Sequence, residues 1–101
     1  MTIQDVKQQR RYQREQVLEE GTLSINRRTL TVDVLDVALH PEQNSVHGFG
    51  LICPTTLMAK KKCTLQLSTG RYSGRYECET VYCQETGFGM RVGLTVLEKV
   101  E

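Results

Sequence analysis

Residues 10–14 read RRYQR and concentrate three arginines in a chain whose formal net charge is only +1. Arg10 and Arg14 stand four positions apart, with Arg11 between them. A guanidinium presents a planar set of donors that matches phosphate oxygens or the O6/N7 edge of guanine, and it also stacks on bases. Two such groups at this spacing could hold one anionic ligand from two sides, whereas most short basic runs are simply a solvated surface.

Patterns typical of catalysis and of metal binding are missing from the sequence. It has no nucleophile elbow, no HExxH, no P-loop and no pair of carboxylates in an apolar setting. No two cysteines form a CxxC pair, and His40 and His47 do not complete a zinc pattern with them. We therefore expect a protein that is not an enzyme and that needs no cofactor or metal. The cysteines, which we expect to be reduced, are Cys53, Cys63, Cys78 and Cys83.

Charge and hydropathy restrict the compartment and the partners. A near-neutral chain does not coat nucleic acid or anionic membrane by bulk electrostatics, so any such role needs a local patch. No apolar run is long enough to span a bilayer, and the polar opening residues lack the apolar region of a signal peptide. We expect a cytoplasmic protein with no membrane insertion.

Alternating hydrophobicity predicts β-strands along most of the chain. Residues 88–96 place apolar side chains at every second position, and residues 63–68 repeat the pattern. Residues 28–39 change the parity of their apolar positions, which predicts a bulge near Val34 and Leu35. The residues expected to lead the core are Leu30, Val32, Leu65, Leu67, Met90, Val92 and Leu94. The aromatic residues expected to face inward are Tyr76, Tyr82 and Phe88.

Turn-forming residues separate these runs, and Asn26 with Arg27 suits a tight hairpin between the first two strands. Six short strands in 101 residues predict an all-β fold, either a compact antiparallel barrel or a sandwich. Any helix should be short, within residues 3–13 or 55–62. Residues 1–9 are polar enough for a disordered arm.

A second stretch adds to the arginine pattern. Residues 34–54, VLDVALHPEQNSVHGFGLICP, leave one strand, cross a polar turn and enter another. With RRYQR, they make the chain resemble the PilZ family, small bacterial β-barrels whose usual ligand is cyclic di-GMP. That family carries RxxxR just before its first barrel strand and [DN]xSxxG after its second. Arg10 and Arg14 match the first motif, and SVHG, from Ser45 to Gly48, matches the end of the second.

The resemblance covers roughly residues 10–98 and implies both a fold and a site. The fold is a six-stranded antiparallel PilZ-like β-barrel over residues 15–101, preceded by a flexible N-terminal arm, residues 1–14, that folds over the nucleotide. Arginines would hold phosphate oxygens and a guanine edge, and a carboxylate or amide would accept from the guanine N1–H and amino group. A serine hydroxyl and a closely approaching glycine backbone would complete the site. The implied ligand-binding residues are Arg10, Arg11, Arg14, Asp36, Asn44, Ser45 and Gly48.

The second motif fits in two registers, and neither is complete. With Ser45 as its serine, Gln43 stands where the family has Asp or Asn, and Asn44 comes one place late. With Asp36 as its first residue, Ala38 replaces the serine and an insertion precedes the glycine. Glutamine carries the right amide on a longer side chain that loses more rotamer entropy. Weakened nucleotide binding is therefore expected in the first register.

Three functions follow from these patterns. The first is a cyclic di-GMP receptor that relays the signal to an effector protein, in motility, pili or exopolysaccharide synthesis. The second is a PilZ-type adaptor that has lost the nucleotide and acts only through protein contacts. The third is a small barrel that binds single-stranded nucleic acid, which would need basic residues interleaved with aromatics on one sheet face. Because that interleaving is weak here, we expect no DNA or RNA partner.

Overall fold

The computed structural model describes residues 13–42 and 45–100, which form six β-strands and no helix. The strands are β1 (Gln13–Ile25), β2 (Arg28–Leu39), β3 (Val46–Cys53), β4 (Lys62–Leu67), β5 (Gly74–Thr86) and β6 (Gly89–Lys99). These strands confirm the predicted all-β fold. A membrane-crossing helix is not found among the described residues.

The six strands close into a barrel with the neighbour order β1-β2-β3-β6-β5-β4. Every neighbouring pair is antiparallel, and β1 pairs with β4 to complete the ring. Alternation alone allowed a barrel or a sandwich, and the protein forms the barrel. Closure pairs strand edges that would otherwise be exposed.

Apolar side chains fill the barrel interior as the alternation predicts. Leu30 and Met90 are only partly buried but pack against the same cluster. Phe49 and Tyr76 meet edge to face, with ring centroids 4.9 Å apart, a favoured geometry for buried aromatic rings. The predicted core residues that are fully buried are Val32, Leu65, Leu67, Val92 and Leu94.

The parity change predicted near Val34 and Leu35 is confirmed in β2. The pairing of β2 with β3 shifts between Val34 and Asp36, and both Val34 and Val37 are fully buried. Residues three apart on a regular strand face opposite sides, so a bulge must reorient the segment. It turns Asp36 to the outer surface of the barrel.

Two aromatic side chains predicted to face inward are exposed. Phe88 is 92% exposed because it lies in the turn between β5 and β6. In that turn the Thr86 hydroxyl donates to the Gly89 carbonyl at 2.7 Å and accepts from the Phe88 amide at 3.1 Å. Tyr82 is turned outward by a register shift between Thr80 and Tyr82 in the pairing of β5 with β6.

The hairpin predicted at Asn26 and Arg27 is confirmed. Both residues have positive φ, 51° and 64°, as the two-residue turn with the twist of a hairpin requires. At its other end β1 begins at Gln13, so Arg14 lies in the first strand, paired with Ala38, and not on a separate arm. The predicted boundary after residue 14 thus falls inside β1, and residues 1–12 of the predicted arm lie outside the described residues.

No helix forms in residues 55–62, the second stretch predicted to allow one: residues 54–61 connect β3 to β4, and β4 begins at Lys62. The Lys60 amide donates to the Thr80 carbonyl at 2.7 Å, and the Thr80 amide donates to the Lys61 carbonyl at 2.9 Å. These two bonds tie a turn, in which Lys60 has a positive φ of 62°, to β5, and they use backbone groups that a helix would need. Most of the other helix option, residues 3–12, lies outside the described residues.

The four cysteines are free thiols, as predicted. Cys63 and Cys78 are buried as cross-strand neighbours on β4 and β5. Burial raises the pKa of Cys63 to about 11 and the pKa of Cys78 to about 12. Because the thiolate is the reactive form, these two side chains act as apolar filling at neutral pH.

Gly48 lies on β3 where the backbone of β6 passes close to it. A Cβ added at Gly48 would lie 2.5 Å from the backbone carbonyl oxygen of Leu94, and a backbone atom cannot swing away as a side-chain tip can. We expect Gly48→Ala to lower the free energy of unfolding by about 1–3 kcal/mol, measured by urea denaturation. Gly87→Ala is the matched control, since no atom lies within 4 Å of its Cβ position. Equal stability of the two variants would contradict the close approach.

Candidate functional site

Arg14 and Asp36 meet on the outer surface of the barrel. In the β1–β2 ladder Arg14 is opposite Ala38 and Asp36 is opposite Gln16, so the two side chains lie diagonally on one face. Arg14 Nη1 donates to Asp36 Oδ1 at 2.5 Å. The strand pairing thus brings the second arginine of RxxxR against the carboxylate that begins the second motif in its Asp36 register.

Arg91, on β6, holds the other side of the same carboxylate. Its Nη2 donates to Asp36 Oδ2 at 2.7 Å across the intervening strand β3. The sequence did not predict this contact. Asp36 on β2 and Arg91 on β6 are far apart in the chain, and the alternating pattern assigned Arg91 only to the polar face of its strand. The available signal was an arginine between two glycines, Gly89 and Gly93, where neighbouring strands leave room for a long side chain.

Gly50 makes this arrangement possible. It lies on β3 opposite Asp36 on one side and opposite Gly93 on the other. A Cβ at Gly50 would lie 2.7 Å from Asp36 Oδ1 and 2.9 Å from Arg91 Nη2. The missing side chain leaves a shallow depression in which the ion pair rests. Gly93 on β6 likewise leaves room for a neighbour's side chain. The ring of Tyr82, opposite it on β5, lies over Gly93.

We call Arg14, Asp36 and Arg91 the arginine–aspartate cluster. Its two guanidiniums and one carboxylate leave an excess of one positive charge. The side chain of Asp36 is 13% exposed and that of Arg91 is 33% exposed, whereas that of Arg14 is 59% exposed. Arg91 Nε is buried without a hydrogen-bond partner among the described residues. Arg14 is therefore the member that can exchange its carboxylate partner for an incoming anion at least cost.

The other predicted site residues are distributed differently. Ser45 is exposed in the β2–β3 connection, where its carbonyl accepts from the His40 amide at 2.9 Å. Gly48 is buried, and the space beside it is filled by the backbone of β6, so a role in approaching a ligand stays a prediction. The predicted residues that lie outside the described part of the chain are Arg10, Arg11, Gln43 and Asn44.

One end of the barrel opens into a cavity of about 590 Å³. We call it the barrel-mouth cavity, and it is bordered by the β2–β3 and β4–β5 connections and by the end of β6. His40 and His47 form an edge-to-face pair on one side, with ring centroids 5.0 Å apart. Burial, and then the neighbouring His40, lower the pKa of His47 below its ordinary value of 6.5. Its imidazole is therefore neutral at pH 7.

Neither the described contacts nor sequence comparison assigns a chemical reaction to these sites. Among residues 13–42 and 45–100, no three His, Cys, Asp or Glu side chains are grouped so as to hold a metal ion. The arginine–aspartate cluster offers instead two planar donors and one acceptor to a ligand. No protein-family model matches the chain, and no curated protein sequence is significantly similar to it.

Proposed function

We propose that the protein is a PilZ-type receptor for cyclic di-GMP that binds the nucleotide on the outer barrel surface around the arginine–aspartate cluster. One observation carries the proposal: Arg14 of RxxxR lies 2.5 Å from Asp36, the acidic residue of the second motif. Two partial motifs separated by 21 residues in sequence thus supply adjacent groups with the donors and acceptors that a guanine nucleotide needs. The closed six-stranded barrel agrees with the fold that the resemblance implies.

Arg14 would change partners when the nucleotide binds. Its guanidinium is exposed and can turn from Asp36 to phosphate oxygens or to the O6/N7 edge of guanine. Asp36 would then accept from the guanine N1–H and amino group while Arg91 keeps it oriented through Oδ2. Since Ala38 stands at the serine position in this register, the second motif contributes no hydroxyl here. The remaining arginines of the motif, Arg10 and Arg11, would add contacts to the phosphates.

The receptor would act in the cytoplasm by presenting a changed surface to an effector protein. Phe88 at the tip of the β5–β6 hairpin is almost fully exposed and is a suitable contact for such a partner. Nucleotide binding would add two negative charges to the outer surface beside the cluster. The pathway, in motility, pili or exopolysaccharide synthesis, would be set by the effector.

A nucleotide-free adaptor is the second candidate, and a specific observation favours it. Each oxygen of the Asp36 carboxylate accepts from an arginine, so this carboxylate is already satisfied without a ligand. In this case Arg14 and Arg91 would stabilise the barrel and the exposed hairpin would bind the partner. A single-stranded nucleic-acid binder is less well supported, because it would need aromatics interleaved with basic residues on one sheet face, whereas Phe49 and Tyr76 are buried and Phe88 lies in the β5–β6 turn.

Arg14→Ala tests the receptor proposal directly. Losing a charged donor to a phosphate or a base should cost about 1.5–3 kcal/mol, a roughly ten- to hundredfold loss of affinity for cyclic di-GMP. Stability should change by less than about 1 kcal/mol, because Arg14 is well exposed and Asp36 retains Arg91. Titration of labelled protein followed by amide chemical shifts measures the affinity, and urea denaturation measures the stability.

Arg28→Ala is the matched control, since Arg28 is exposed at the far end of the β1–β2 hairpin. It removes the same charge from the protein without touching the cluster, so its affinity should stay close to that of the wild type. If wild-type amides do not shift at millimolar cyclic di-GMP, the receptor proposal is wrong and the nucleotide-free adaptor becomes the better-supported function. If both variants bind as the wild type does, the nucleotide site lies elsewhere.

A further inference from the structure

The barrel-mouth cavity is a concave site that the arginine–aspartate cluster does not use. Arg14 and Asp36 do not line it. Glu15, which follows Arg14 on β1, lies instead at the barrel mouth. There its carboxylate accepts from the Tyr72 hydroxyl at 2.9 Å and from Arg71 at 3.5 Å. Neighbouring residues of a strand face opposite sides, so β1 divides the two places. With about 590 Å³, the cavity has the volume of a small-molecule site.

Rings and apolar side chains form the inside of this cavity. Tyr76 and Val96 contribute to its lining, and Tyr76 is fixed by the bond from its hydroxyl to the Tyr72 carbonyl at 2.7 Å. The His40–His47 pair and the ring of Tyr72 also line it. The flat rings in this lining favour a planar ligand that can stack against them.

Two cations and two carboxylates lie at the rim, and one of the carboxylates, Glu15, already pairs with Arg71 at 3.5 Å. Lys99 holds its ammonium 5.5 Å from the centre of the Tyr76 ring, and Arg71 holds its guanidinium 5.5 Å from the centre of the Tyr72 ring. Both cations thus lie over aromatic lining residues. Glu98 is the carboxylate among the residues that line the cavity, while Glu15 is engaged by Tyr72 and Arg71. Lys99 makes no ion pair with a described carboxylate, so its ammonium is the rim group that favours an anion.

We propose that the barrel mouth is a second binding site, for a small planar aromatic anion whose ring lies between the histidine pair and Tyr72 and whose acidic group meets Lys99 and Arg71. The ligand class is a mononucleotide or an aromatic carboxylate, which share this chemistry. The proposal is independent of cyclic di-GMP binding at the arginine–aspartate cluster. Under this proposal, the residues that line the barrel-mouth cavity bind a second small molecule.

Amide chemical-shift titrations with three probes test the site. Guanosine 5′-monophosphate and 4-hydroxybenzoate are the two sources of an aromatic anion, and inorganic phosphate is an anion without a ring. We expect at least one aromatic probe to shift the amides of His47, Tyr72 and Lys99, and we expect phosphate to bind far more weakly. The tighter of the two aromatic probes identifies the class of ligand. Absence of shifts with both, or equal binding of phosphate, overturns the proposal.

Two neighbouring rim residues provide a pair of variants with opposite expected signs. Lys99→Gln should weaken binding of the aromatic anion by about two- to fivefold, and Glu98→Gln should strengthen it by a similar factor. Both side chains are exposed, so neither change should unfold the barrel. A Glu98→Gln variant that binds no more tightly than the wild type, or a Lys99→Gln variant that binds no more weakly, overturns the charge assignment.

Tyr72→Leu removes the ring while keeping an apolar side chain, and it should weaken binding of the aromatic probe by at least about fivefold. Unchanged affinity in this variant would show that the ring does not contact the ligand and would overturn the stacked arrangement. Arg14→Ala should leave binding at the mouth unchanged. That result separates this site from the nucleotide site, since either can fail while the other is retained.

Discussion

Replacing Asp36 with alanine is expected to destabilise the barrel by about 1–3 kcal/mol, because it leaves the partly buried guanidinium of Arg91 without its carboxylate. Arg91 Nε already lacks a partner among the described residues, so the side chain has little else to bind. If the receptor proposal is correct, affinity for cyclic di-GMP should also fall at least roughly tenfold, since the guanine acceptor is lost. Urea denaturation and amide titration measure the two effects.

Asp33→Ala is the control for that experiment. Asp33 lies on the same strand and carries the same charge, but its side chain is exposed. The control should unfold within about 0.5 kcal/mol of the wild type and bind nucleotide as the wild type does. Equal stability of Asp36→Ala and Asp33→Ala would mean that Arg91 does not depend on Asp36. Loss of stability without loss of nucleotide binding would favour a structural role for the cluster.

Tyr76→Ala should produce the largest loss of stability, about 3–5 kcal/mol, because it removes a large buried ring from the barrel core. The side chain is 1% exposed and packs edge to face against Phe49. It also donates a hydrogen bond to the Tyr72 carbonyl. The void that this substitution leaves would join the barrel-mouth cavity. The further Phe49 moves into the void, the smaller the loss of stability within this range. The urea midpoint measures the change.

Tyr76→Phe measures the contribution of the hydroxyl to stability separately from that of the ring. It keeps the packing and loses only one hydrogen bond, so the loss should be about 0.5–1.5 kcal/mol. A phenylalanine variant as unstable as the alanine variant would show that the bond to Tyr72, rather than the ring, stabilises this end of the barrel. An alanine variant as stable as the wild type would contradict the burial of the ring.

Most of the fold could be predicted because burial repeats every two residues along a strand. Val32, Leu65 and Leu94 are buried as expected, and even the bulge after Val34 was visible as a change of parity. The errors fall where a strand loses its regular pairing. Phe88 and Tyr82 continue an alternation that the hairpin turn and a register shift interrupt, and neither event changes the composition of the sequence.

The candidate site was less predictable than the fold. Arg14 and Asp36 were both identified from motif positions, but their contact depends on the diagonal geometry of the β1–β2 ladder. Arg91 reaches Asp36 only because Gly50 stands between them without a side chain. Sequence patterns describe each strand separately, whereas this cluster forms across four neighbouring strands, β1, β2, β3 and β6.

The sequence by itself determined the strands, the tight hairpin at Asn26 and Arg27 and the apolar residues of the core, because these follow from local backbone preferences and from the two-residue period. Only the tertiary structure decided the strand order β1-β2-β3-β6-β5-β4. That order places β6 beside β3, and with it Arg91 beside Asp36. It also gathers His40, Tyr72 and Lys99 at one end of the barrel. Such contacts join residues far apart in the chain, and barrel closure, which no local pattern records, brings them together.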